Sequence, residues 1–189
     1  MPPHAQTKMM SLFVVATVAL TAPIQSVAAA GYYRSAVFAG GMTLSGTDSG
    51  VATTARFTQP SYLVLIPGTA DYYISDTGNH KIRKLTTASA TVEDFAGQGG
   101  NGLINGTAIT AKFDKPAGMA VTSTGNLFIA DTGNNVIRTI SVATMTVSTF
   151  AGNGVSLGKD GTGPAAQFNG PRNVAFSPLT SAILYVADT

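Results

Sequence analysis

A single pattern recurs along this chain at a spacing of 55 to 57 residues, and that spacing constrains the fold more than any other feature. Phe95-Ala96-Gly97 returns 55 residues later as Phe150-Ala151-Gly152 and is preceded, 57 residues earlier, by Phe38-Ala39-Gly40. Phe113 with Pro116 matches Phe168 with Pro171 and, earlier, Phe57 with Pro60. Asp76-Thr77-Gly78-Asn79 matches Asp131-Thr132-Gly133-Asn134 and then Asp188-Thr189. Several anchors held in register at one period define a repeat architecture, in which each unit buries its apolar face against the next.

Inside one period the apolar runs are short. In the middle copy they are Met119-Ala120-Val121, Leu127 to Ala130, Val136 to Ile140 and Thr146 to Phe150, separated by Ser-Thr-Gly-Asn, Thr-Gly-Asn-Asn and Ala-Thr breaks. Short β-branched runs bounded by Gly, Asn, Asp and Ser read as strands of an antiparallel meander. Helical periodicity is not sustained anywhere from Tyr33 onward. The expectation is an all-β chain with four strands per unit and one long glycine-rich connection between units, which is the plan of a propeller blade.

Residues 1–30 have a different character. Lys8 precedes an apolar run from Met9 to Ala22, Pro23 ends it, and small residues follow up to Ala30. This three-part pattern predicts a signal peptide, hence a secreted or extracytoplasmic protein. As a helix the run would rise only about 21 Å, against a hydrocarbon core of about 30 Å. No later run reaches spanning length, so no membrane span is expected in the mature chain. With Lys8 set aside, ten of the 11 basic residues face nine acidic ones, too balanced to draw nucleic acid. The chain has no cysteine, which removes thiol catalysis, thiolate metal sites and disulfides from consideration.

The linked residues Phe-Ala-Gly, Asp-Gly-Thr, Ala-x-Phe-x-x-Pro and Leu-Phe-Ile-Ala-Asp-Thr-Gly-Asn-Asn-Val-Ile-Arg resemble NHL repeats, in the longer form found in exported proteins. The resemblance covers about residues 37–189. It implies a β-propeller, which in this family commonly has around six blades. The expected layout is a signal peptide over 1–30 and a partial propeller over 31–189. Blade one would run from about 57 to 95, blade two from about 113 to 150, and a partial blade three from about 168 to 189. That is about two and a half blades, with a stub at Val37–Ala39 as an additional outer strand. Propellers of this kind have at least four blades, so the expectation is a fragment of a longer protein whose open sheet ends favour aggregation, the alternative being several chains that assemble one ring.

Most of the recurring residues are expected to serve the fold. Phe57, Phe113 and Phe168 are candidates for packing between blades. Asp76, Asn79, Asp131, Asn134 and Asp188 are candidate turn residues, the aspartates accepting backbone N–H groups within the turn. Gly97 and Gly152 are expected at positive φ or at close approaches. Arg83 and Arg138 alternate with Ile82 and Ile137, so both arginines are expected on an exposed face.

Candidates for chemistry are few. His80 is the one histidine beyond the leader, too few for a zinc site, and is expected as a solvated turn residue in the place of Asn135. Lys81, Arg83 and Lys84 form a basic cluster expected to be a solvated face. Glu93 and Asp94 are adjacent on a strand and should point to opposite faces. Asn105-Gly106-Thr107 is a glycosylation sequon, and its alignment with Asp160-Gly161-Thr162 also reads as a turn. No cofactor or metal site is expected. The function expected is that of an exported, non-catalytic binding or scaffold module whose partner is a protein or extracellular ligand. The alternative is part of an exported propeller enzyme, similar to an amidating lyase or a hydrolase, with its catalytic residues in other blades.

Overall fold

The computed structural model describes residues 39–40, 45–178 and 183–189. The leader expected over residues 1–30, and Val37 and Phe38 of the expected stub, lie outside the described residues. Where the chain is described it is all-β, and its only helical pieces are three single 3₁₀ turns.

Among the described residues, twelve strands build three antiparallel sheets. The first contains β1 (Gly50–Val51), β2 (Pro60–Leu65), β3 (Tyr72–Asp76), β4 (Lys81–Thr86) and β5 (Thr91–Ala96), in the spatial order β1-β5-β4-β3-β2. The second contains β6 (Gly106–Thr107), β7 (Pro116–Val121), β8 (Leu127–Asp131), β9 (Val136–Ser141) and β10 (Thr146–Ala151), ordered β6-β10-β9-β8-β7. The third pairs β11 (Asn173–Phe176) with β12 (Leu184–Ala187). The sheets follow one another as blades of a β-propeller; a four-stranded meander forms the body of the first two, and two strands of the third are described.

The long connections do more than cross from one blade to the next. After β5 the chain first lays β6 against β10, on the outer edge of the following blade, and only then enters that blade through β7. In blade one the same outer place is taken by β1, where Gly50 pairs with Val92 and Val51 with Thr91. Ala39 is a bend residue, and Gly40 N–H donates to Ala52 at 2.8 Å. The same bond recurs from Gly97 to Ala108 at 2.8 Å and from Gly152 to Gly163 at 3.0 Å.

The Phe-Ala-Gly signature has a geometric cause. Ile82 pairs with Ala96 while Arg83 pairs with Asp94, so Phe95 bulges from the ladder, and Phe150 does the same in blade two. The bulged rings find aromatic partners: Phe95 lies 4.4 Å from Tyr73, and Phe150 meets Phe128 edge-on at 5.0 Å. Just beyond the bulge, Gly97 and Gly152 adopt φ of 99° and 92°, and an added β-carbon at either would lie 2.8 Å from a carbonyl oxygen. No L side chain fits there without displacing backbone.

Blades pack face to face through mirrored apolar sets. Tyr73, Ile82 and Ala96 of blade one meet Met119, Ile129, Ile140 and Val147 of blade two, with Phe113 fully buried among them. Ala130 and Ile137 of blade two meet Val174 of blade three, with Phe168 packed alongside. On its other face, blade one covers Ile74, Leu85 and Val92 with Ala52, Ala55 and Phe57. Burying a side chain such as Phe113 contributes about 1.5–3 kcal/mol.

One glycine sets how closely two blades approach. Gly118 N–H donates to Arg172 at 2.9 Å, and a β-carbon on Gly118 would lie 2.7 Å from that carbonyl oxygen and 2.5 Å from the Asn173 α-carbon. Gly118→Ala is therefore expected to destabilise the chain by about 1–3 kcal/mol in urea unfolding. Gly158→Ala, with no atom within 4 Å of the new carbon, is expected to stay within about 0.5 kcal/mol.

Candidate functional site

The repeated Asp-Thr-Gly-Asn turn sits above a buried ion pair. Asp76 closes β3, Arg83 lies in β4, and both side chains are fully buried with Arg83 Nη1 2.9 Å from Asp76 Oδ2. Blade two repeats this with Asp131 and Arg138 at 3.0 Å. The expectation of exposed arginines is thus corrected. Alternation does place Ile82 and Arg83 on opposite faces, but both faces of a blade are covered by neighbouring structure.

Each guanidinium occupies a cradle made largely of main chain. Arg138 donates to the carbonyls of Lys112 at 3.0 Å and Ile104 at 2.9 Å, and to Asn105 Oδ1 at 2.8 Å. Arg83 donates to the carbonyls of Arg56 and Asp48 and to Ser49 Oγ, at 3.2, 3.0 and 3.0 Å. Phe113 and Phe57 lie under the two guanidinium groups, 5.1 and 5.4 Å from ring centre to Cζ. Such stacking contributes about 0.5–2 kcal/mol. Asp94 Oδ1 lies 2.8 Å from Arg83 Nε, a charge contact that is off the N–H direction. Thr149 stands at that place in blade two, and the buried Arg138 Nε has no hydrogen-bond partner among the described residues.

The aspartates accept backbone N–H groups, but not within their own turns. Asp76 Oδ1 accepts from Thr58 and Asp131 Oδ1 from Asp114, each at 2.7 Å. These donors belong to the segment entering the blade. The turn is docked on that segment by Gly78 N–H to Thr58 and Gly133 N–H to Asp114, both at 2.8 Å, so the carboxylate reaches across rather than back. Asn79 and Asn134 each donate to the second carboxylate oxygen at 2.8 Å, and onward to the carbonyls of Gly46 and Gly102. Asp188, at the third position, accepts from Asn169 N–H at 2.8 and 3.0 Å.

Burial dominates the electrostatics. It pushes Asp131 up to about 6, against the hydrogen bonds from Asn134, Asp114 and Arg138, and it lowers Arg138 from its ordinary value. Asp76 is raised for the same reason. In a low-dielectric cradle the pair fixes geometry while contributing little net stability.

Further bonds stitch each turn to the next blade. Thr77 Oγ1 donates to Pro116 and Thr132 Oγ1 to Pro171, at 2.7 and 2.6 Å, and Ser75 Oγ donates to the Ala117 carbonyl. His80 and Asn135 take equivalent left-handed positions, with φ of 57° and 54°. His80 Nδ1 accepts from Lys115 N–H at 3.1 Å and Asn135 Oδ1 from Gly170 N–H at 2.8 Å. His80 thus stands in the place of Asn135 but is a half-buried acceptor at a blade junction. The basic cluster also dissolves into pairs: Arg83 is buried, Lys81 lies 2.6 Å from Asp94, and Lys84 lies 3.7 Å from Asp71. Asn105 is exposed, and its carboxamide oxygen is engaged by Arg138. Among the described residues no cluster of three or more His, Asp or Glu side chains is placed to hold a metal ion.

The exposed part of this arrangement is a rim of loops. The 97–105 loop is held to the turn of blade two by Asn134, and Gly154 of the following loop lies beside Leu103. Leu103, Ile104, Val155 and Leu157 present 44, 48, 46 and 60% of their surface to solvent on these two loops.

The family model of the NHL repeat matches residues 113–138, which run from Phe113 through the buried Arg138. Residues 113–138 thus carry an NHL repeat. It is 37% identical over 97 residues to Protein SUPPRESSOR OF QUENCHING 1, chloroplastic, of Arabidopsis thaliana, covering 51% of this chain and 9% of that protein. It is 30% identical over 107 residues to NHL repeat-containing protein 2 of Bos taurus, covering 56% of this chain and 15% of the relative. Among solved structures it is similar to a structural genomics protein of unknown function from Bacteroides thetaiotaomicron. That match has a TM-score of 0.67 and 26% identity, and covers 82% of this chain and 37% of the other.

Arg138→Met is expected to cost about 3–5 kcal/mol in urea unfolding, because it leaves the Asp131 carboxyl buried beside orphaned carbonyls. The raised Asp131 value also fixes a sign. Between about pH 4 and pH 6 the folded chain binds this proton more tightly than the unfolded chain does. The contribution of Asp131 to stability is therefore expected to fall as pH rises through that window, and Asp131→Asn to remove that part of the slope in unfolding measured at pH 4.5 and 6.5.

Proposed function

We propose that this chain is a non-catalytic binding or scaffold module of an exported protein, with the loop rim as its contact surface. The observation that carries the reading is a division of labour among the recurring residues. Their Asp, Asn, Arg and Thr side chains are engaged in holding a blade together or tying it to the next. The connecting loops, which vary between repeats, carry the exposed aliphatic groups Leu103, Ile104, Val155 and Leu157. Exposed apolar side chains gathered on loops above a rigid scaffold are how binding surfaces are ordinarily built. Export is supported by the charged, apolar and small-residue segments of residues 1–30. The partner implied is an extracellular protein or ligand with an apolar contact face.

The test is capture of extracellular partners by the wild-type chain and by a Leu103→Glu/Leu157→Glu variant. The exposed positions should keep unfolding stability within about 0.5 kcal/mol for each change. The expected result is a defined partner retained by the wild type and lost by the variant. Equal capture by both, or robust turnover of a substrate by the purified protein, would overturn the proposal.

A further inference from the structure

Asn105 stands where the fold itself asks only for an acceptor oxygen. In blade one Arg83 Nη2 donates to Ser49 Oγ at 3.0 Å, and in blade two Arg138 Nη2 donates to Asn105 Oδ1 at 2.8 Å. Thr149 Oγ1 approaches the same oxygen at 3.4 Å. A guanidinium can only donate, so the Asn105 carboxamide must turn its oxygen toward Arg138. The nitrogen of this planar group then faces away from the cradle, on a residue that is exposed. Both side-chain hydrogen bonds of Asn105 among the described residues end on Oδ1, which leaves Nδ2 to solvent.

The backbone on either side holds this orientation. Before Asn105, Ile104 and Lys112 exchange N–H···O bonds at 3.4 and 3.1 Å. After it, Gly106 pairs with Val147 and Thr107 with Thr146 to form β6. Thr107 is exposed, and its hydroxyl lies 2.7 Å from that of Thr110. Of all the asparagines in the sequence, Asn105 alone is followed two residues later by Ser or Thr, with no proline between. Ser49 and Asp160, its counterparts in the neighbouring repeats, offer a side-chain oxygen but no amide nitrogen.

We propose that Asn105 is an N-glycosylation site, carrying an oligosaccharide on Nδ2 while Oδ1 remains the acceptor for Arg138. The inference rests on the export reading, because the transfer takes place in a secretory lumen. Nδ2 attacks the anomeric carbon of an oligosaccharide held on a lipid pyrophosphate. The carbon–nitrogen bond forms as the carbon–oxygen bond to the pyrophosphate breaks. The lipid pyrophosphate departs with that electron pair, and one Nδ2 proton passes to a carboxylate of the transferase. The product amide keeps its carbonyl oxygen and one N–H, so the buried Asp131–Arg138 frame loses no partner. The sugar adds bulk on the solvent side, one residue before β6.

The experiment expresses the full chain in cultured animal cells in two forms, one with its own residues 1–30 and one with a proven secretory leader in their place. Intact mass is read on cells and medium together, before and after peptide N-glycosidase. Behind the proven leader the wild type is expected to carry one glycan, which the enzyme removes to leave an aspartate at position 105. Asn105→Gln and Thr107→Ala should each lack it, the second with the asparagine still in place. An unmodified Asn105 behind the proven leader would overturn the proposal. A glycan there but none behind residues 1–30 would uphold the site and count against the export reading instead. In urea unfolding the glycosylated chain should match the chain made in bacterial cytoplasm, where Asn105 is bare. A clearly lower midpoint would mean that the sugar pulls the carboxamide from Arg138, and would overturn the placement.

Discussion

A buried aspartate and arginine, joined at about 3 Å and enclosed by main-chain carbonyls, organise each complete blade. The carboxylate fastens the entering segment through a backbone N–H, while the guanidinium fastens the inter-blade loop and the same entering segment. Each pair therefore ties together parts of the chain that are 18 to 35 residues apart in blade one and 17 to 34 in blade two. Breaking either partner leaves a charge in a dry environment. That cost enforces a single arrangement more firmly than it raises net stability.

The apolar packing is built around this frame. Phe57 and Phe113 serve as both wedge and platform, filling the space between layers while meeting a guanidinium with their ring faces. The threonine of each turn then bonds the carbonyl of the proline that opens the next blade, so the polar frame of one repeat sets the position of its neighbour. Stability in such an array is a sum of unit and nearest-neighbour contributions.

Much of the fold was legible in the sequence because the period carries it. The anchors Phe-Ala-Gly, Phe-x-x-Pro and Asp-Thr-Gly-Asn fall at equivalent places in successive sheets, and the meander follows from short β-branched runs. The arginines were misread for a physical reason. Alternation distinguishes inside from outside only when one sheet face meets water, and both faces of a blade meet protein. The recurrence of Arg83 and Arg138 seven residues after the aspartates was the available signal, since a solvated arginine needs no fixed spacing from a carboxylate. The stitching role of Thr77 and Thr132 had no such mark, because threonine is ordinary in turns. The outer strands β1 and β6 escaped notice because two residues of Gly-Val or Gly-Thr carry no periodicity.

Those two-residue strands have a consequence for how the protein meets others. A sheet whose outermost strand is long and straight invites lateral pairing with any extended chain. Here the peripheral margin of blades one and two is fenced by a dipeptide drawn from the incoming loop, after which the backbone turns away. Growth by backbone pairing is thereby discouraged at the circumference and directed around the axis, so the architecture governs the direction of assembly as well as its shape.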